Sequence, residues 1–141
     1  MTNYLFDTNI ISELSRAEPQ KSVVDFVAST PVAWLSTITL HELEYGVTLI
    51  PDGARKAAIQ HMVAGLVSAY DDYIISVGQA EAQEAALLRA MLKQQGKVLH
   101  LADSLIAGTA KVHNLTVVTR NIKDFEGLGI QLMNPFDTTR P

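Results

Sequence analysis

Short, largely apolar runs alternate along this chain with longer stretches of helical periodicity, and that alternation restricts the fold more than any other feature. The runs occupy residues 3–6, 33–36, 73–76 and 115–119, with a last one at 129–133. A short helix opens after Asp7 and carries Ile10, Ile11 and Leu14. Residues 21–28, 37–49, 54–70, 79–95 and 101–113 place apolar side chains three and four apart, the spacing of one helix face. Val23, Val24 and Val27 mark that face in the first of these, and Ala58, Met62, Gly65, Leu66 and Ala69 mark it in 54–70. Helices are punctuated by Glu18-Pro19-Gln20, by Pro51-Asp52-Gly53, by Gly96 and by Asn114. The small residues Ala102, Ala107, Gly108 and Ala110 predict that 101–113 packs closely against the sheet. Strands joined through helices form parallel sheets covered on both faces. The expected fold is therefore α/β: a three-layer α/β/α sandwich around a mainly parallel sheet, with 129–133 as an edge strand.

At 141 residues, 48% of them hydrophobic, the chain is expected to form one domain over 1–141 with a sizeable core. No apolar run approaches the roughly 18 residues that a membrane span needs. An acid at position 7 breaks any secretory signal pattern. The absence of cysteine excludes disulfides, thiol catalysis and thiolate zinc sites. Together these features point to a cytoplasmic protein. The net charge of −4 has the wrong sign for a protein that coats nucleic acid. It leaves room for a nuclease whose bound cations offset the negative charge where phosphate is met.

Three acids stand at places where such a fold brings distant segments together. Asp7 follows the first strand, Glu42 lies in the helix after 33–36, and Asp103 sits in the first turn of 101–113. Asn121 comes just after the 115–119 strand. Ligands of open parallel sheets bind at the carboxyl ends of the strands, and carboxylates gathered there suit Mg²⁺ or Mn²⁺. Each acid also has a purely structural reading. Asp7 fits an N-cap, Thr39-Leu40-His41-Glu42 fits a capping box, and Asp103 fits a carboxylate on a helix macrodipole.

Four segments in order carry a resemblance: Phe6-Asp7-Thr8-Asn9; Ser36, Thr39, Glu42, Leu43 and Gly46; Ala102-Asp103 with Ile106-Ala107; and Thr119-Arg120-Asn121 with Asp124-Phe125. The chain resembles the PIN-domain family, more narrowly the VapC-type toxins of prokaryotic toxin–antitoxin pairs. Leu132-Met133-Asn134-Pro135-Phe136 is similar to the FitB-like branch. The resemblance implies a Mg²⁺- or Mn²⁺-dependent ribonuclease with RNA as substrate, a homodimer restrained by a cognate antitoxin. It implies Asp7, Glu42 and Asp103 as metal-binding acids, with Thr119 and Asn9 orienting the site. Where the family often has an acid, this chain has Asn121, whose amide oxygen brings no charge. Asp124 compensates if 121–124 forms a helical turn.

Two other readings stay open. A phosphatase with Asp7 as nucleophile wants a second acid two residues on, where Asn9 stands. A PIN-like binding module would be one in which Asn121 marks lost catalysis. His41, His61, His100 and His113 show no metal spacing and read as structural or surface residues.

Overall fold

The computed structural model describes residues 2–139. Five strands form one sheet: β1 (Tyr4–Phe6), β2 (Ala33–Ser36), β3 (Ile74–Ile75), β4 (Thr116–Val118) and β5 (Leu132–Met133). Their order is β3-β2-β1-β4-β5, and every pairing is parallel. Six α-helices connect them: α1 (Thr8–Leu14), α2 (Lys21–Ser29), α3 (Thr37–Thr48), α4 (Ala54–Ser68), α5 (Gln79–Gln94) and α6 (Leu101–His113). The architecture is the expected three-layer α/β/α sandwich.

The central strands explain why the sequence shows short continuous apolar runs instead of alternation. Leu5 and Val117 are register partners and lie in one core, with Leu88, Leu92, Ile106, Ala107 and Ala110 of α5 and α6. Phe6 and Val118, one residue on, lie in the other core, with Ile10, Ile11, Val23 and Leu43. Successive side chains point to opposite faces, so a strand buried on both faces must be apolar at every position. All four residues are fully buried.

Several boundaries and faces differ from the sequence expectation. The 73–76 run contracts to Ile74–Ile75 because Asp71–Tyr73 form a single 3-10 turn. The last strand begins at Leu132. In α2, Phe26 packs into the core with Val23 and Val27, while Val24 is exposed. Phe26 meets Tyr4 edge-to-face at 5.3 Å, and the larger ring wins the inward face. In α4 the core side is Val63, Leu66 and Val67, with Tyr70 just beyond, and Met62 is exposed. Helix α5 ends as expected: Gly96 adopts φ +75° and donates to Lys93, and Lys97 N–H reaches Leu92 O at 2.9 Å. Among the described residues no helix is long and apolar enough to cross a membrane.

The strand order reverses between β1 and β4. From β1 the chain runs outward through β2 and β3, then returns to place β4 on the other side of β1. This is the topological switch point, where crossovers on opposite faces leave a crevice at the carboxyl ends of the strands. Asp7 and Thr119 sit at that crevice, and Asp7 N–H is bonded to Val118 O at 2.9 Å.

Candidate active site

Asp7 takes part in two networks. It caps α1, with Oδ1 accepting from Thr8 N–H at 2.8 Å, so its capping role is real but uses one oxygen. Oδ2 accepts from the Thr119 hydroxyl at 2.9 Å and from Asn9 Nδ2 at 3.3 Å. Asn9 Nδ2 also lies 3.2 Å from Thr119 Oγ1, and Asn9 Oδ1 accepts from Arg120 N–H at 3.1 Å. The Asn121 N–H closes the set on Thr119 Oγ1 at 3.0 Å. Both Asp7 and Thr119 are buried.

Glu42 does not form the capping box. Helix α3 begins at Thr37, and its cap is Ser36, whose Oγ accepts from Ile38 N–H at 3.1 Å. Glu42 therefore sits in the second turn, where it accepts from the Thr8 hydroxyl at 2.7 Å. Thr8 Oγ1 lies 3.5 Å from Thr39 Oγ1. Sequence reasoning overlooked Thr8: no local pattern joins it to an acid thirty-four residues away, and only the fold does.

Asp103 stands half-buried in the first turn of α6. Burial pushes its carboxyl up to about 6, the charges of Asp7, Asp124 and Glu42 push the same way, and His100 opposes them. Asp7 is also raised, first by burial. Hydrogen bonds from Thr119 and Thr8 work against that, while the charges of Glu42 and Asp124 add to it. Asp124 reaches this field because Ile122–Phe125 make a 3-10 turn anchored by buried Phe125. Asn121 starts that turn: it is exposed, and its main chain ties it to the site.

Four carboxylates thus share one electrostatic field. Among the described residues, no Lys or Arg forms an ion pair with Asp7, Glu42, Asp103 or Asp124. A buried acid elsewhere shows the contrast. Burial works against the charge of Glu13, but the Gln20 N–H and Arg16 outweigh it and hold its pKa below the ordinary value. As they stand, no three acidic or imidazole side chains among the described residues close tightly enough to hold an ion between them. Asp7 and Glu42 are turned to their own hydrogen-bond donors, and separation limits a repulsion of roughly 4 kcal/mol for unit charges 4 Å apart. The donor set is carboxylate, hydroxyl and amide oxygen without sulfur. That chemistry fits a hard divalent cation.

The fold and the four motifs define a class. The PIN-domain family profile matches residues 4–129, and the chain belongs to that family. Among its relatives, the VapC ribonuclease Y4jK of Sinorhizobium fredii is 34% identical over 94% of this chain and 97% of its own. The toxin FitB of Neisseria gonorrhoeae is likewise 34% identical, over 94% and 97%. The crystal structure of FitAcB from the same organism matches with a TM-score of 0.86, over 94% of this chain and 98% of that one. A toxin–antitoxin complex from Klebsiella pneumoniae matches with a TM-score of 0.70 at 29% identity, over 95% and 98%.

The Thr8–Glu42 bond yields a first expected outcome. Thr8→Val keeps the shape and removes the donor, so if Glu42 serves as a metal ligand cleavage should fall about 10- to 100-fold, the effect typical of a residue that orients such a ligand. Thr8→Ser should retain most of the activity. Equal rates for the two variants would show that the bond does not matter to the reaction.

Proposed function

We propose that this PIN domain, acting as one unit over residues 1–141, is a divalent-metal-dependent RNA endonuclease and the toxin of a toxin–antitoxin pair. The observation that carries this reading is the group of four carboxylates without protein counter-charges at the switch point of the sheet. Asp7, Glu42 and Asp103 would hold Mg²⁺ or Mn²⁺, with Asn121 and Asp124 contributing from the 3-10 turn. The bound ion supplies charge neutralisation and Lewis-acid polarisation at phosphate.

The protein's own part is positional. Thr119 and Asn9 fix Asp7 Oδ2, Thr8 fixes Glu42 Oε1, and the rigid ends of β1 and β4 set their separation. The reaction is hydrolysis of a phosphodiester: water adds to phosphorus and one P–O ester bond breaks. A chain of net charge −4 meets RNA favourably only where cations reverse the local sign.

The named relatives and the assemblies in which this fold occurs support a cognate antitoxin as partner. A cavity of about 870 Å³ between α1, α3 and α4 opens beside Glu42 and is lined in part by Leu43, Val47, Ile59 and Met62. It offers an antitoxin segment an apolar seat leading to the acids. A homodimer is part of the same proposal.

The phosphatase alternative loses ground because the Asn9 amide is committed to Asp7, Thr119 and Arg120. Incubating purified protein with a mixed RNA pool, in Mn²⁺ and then in chelator, tests the reading. Cleavage in Mn²⁺ that stops in chelator is expected. Metal binding without cleavage would favour a binding module.

A further inference from the structure

Arg120 is exposed, yet its position is closely determined. Its guanidinium carbon lies 4.4 Å from the Phe136 ring centroid, stacked over that ring. Its main-chain N–H donates to Asn9 Oδ1 at 3.1 Å, and its main-chain carbonyl accepts from Asn134 Nδ2 at 3.5 Å. Asn134 Oδ1 in turn accepts from Phe136 N–H at 2.9 Å, which fixes the ring that carries the guanidinium. Among the described residues the guanidinium makes no ion pair. An Arg stacked on an aromatic face keeps its N–H edge available for a planar or tetrahedral oxyanion. Beside it lies a cavity of about 480 Å³ whose lining includes Arg120, Lys123, Asp124, Glu126, Asn134 and Asp137. That cavity shares Asp124 with the acidic centre, and Asn9 links the Arg120 main chain directly to Asp7.

We infer that Arg120, braced by Phe136 and assisted by Lys123, is the seat for an RNA phosphate next to the one being cleaved. The inference rests on the ribonuclease reading. An acidic centre repels the strand it must cut, and a cation held at fixed distance from it brings in the neighbouring phosphate in one register. Bidentate guanidinium–phosphate bonds supply geometry that a mobile lysine does not. Arg120 and Lys123 are the cations of this lining, set among the carboxylates Asp124, Glu126 and Asp137, so a phosphate can be seated there only on those two side chains.

The test compares wild type, Arg120→Met, Arg120→Lys and Phe136→Leu on one single-stranded RNA oligonucleotide that the wild type cleaves. KM should rise about tenfold for Arg120→Met with kcat within a fewfold, and Arg120→Lys should fall between. Binding is read separately by fluorescence anisotropy in an Asp103→Asn background over a range of KCl. There Arg120→Met should lower the slope of log K against log salt by about 0.7, the value for one phosphate contact on a single strand. Phe136→Leu keeps the charge, so it should raise KM while leaving that slope unchanged, and it serves if Arg120→Met does not fold. An unchanged KM and slope in Arg120→Met overturns the inference while leaving the ribonuclease intact. Loss of antitoxin binding alone in that variant also overturns it and assigns Arg120 to the partner. A wild type that binds RNA without cutting any sinks the ribonuclease reading instead.

Discussion

Asp103→Asn should abolish cleavage, by on the order of 10³-fold or more, and at the same time stabilise the protein in chelator at neutral pH. The two effects have one cause. The folded protein holds the Asp103 carboxyl at about 6, above its ordinary 3.8, through burial and then the charges of Asp7, Asp124 and Glu42. An acid that binds its proton more tightly when folded weakens the fold once it must ionise. Stability in chelator should therefore decline as pH rises from about 4 through 6, by on the order of 2 kcal/mol after allowance for partial solvent screening. Asn carries no charge, so the variant should show a smaller decline, the part that the raised Asp7 carboxyl still contributes. Thermal melts at pH 4 to 7.5 check this, alongside an RNA cleavage assay. A variant that loses stability at neutral pH would restore the helix-macrodipole reading of this acid. An active variant would remove Asp103 from the machinery.

The largest effect on stability is expected where α6 meets α5. A Cβ at Gly108 would lie 2.7 Å from both Ala85 N and Glu81 O, and 3.1 Å from Ala85 Cα. These are backbone atoms of α5, so no rotamer change relieves the overlap. Gly108→Ala must push α6 away from α5 and should destabilise by about 3 kcal/mol, a fall in Tm of roughly 10 °C for a chain of this size. Gly65 in α4 provides the control, because a Cβ there meets nothing within 4 Å. Gly65→Ala should gain close to 1 kcal/mol from helix propensity alone. Equal, small shifts for the two variants would show that the α5–α6 contact is not tight.

Gly108 also shows where sequence reading stops. The small residues of 101–113 predict close packing against the sheet, and Ala107 and Ala110 do lie in the sheet-facing core. Gly108 packs against α5, a neighbour that helical spacing cannot name. Likewise the parallel sheet follows from short runs such as apolar Tyr4-Leu5-Phe6 and β-branched Thr116-Val117-Val118, but their adjacency does not. Nothing local places β4 beside β1, and that single pairing creates the crevice. Asp7 stands out in the sequence because it directly follows a strand, whereas Glu42 and Asp103 lie within helices and stand out only through the order of the four motifs. The Thr39–Glu42 spacing misled because a capping-box pattern also occurs inside a helix, and Ser36 was the better cap. In α2 the larger Phe26 ring takes the inward face over Val24, and in α4 Val63 and Val67 face the core where helical spacing points to Met62.

The most direct measurement of the central claim is a crystal soaked in Mn²⁺ and read by anomalous scattering. An ion between Asp7 and Asp103, with Glu42 contributing directly or through water, is the predicted result. Density showing Mn²⁺ only at other surfaces, with the crevice empty at saturating concentration, would contradict it.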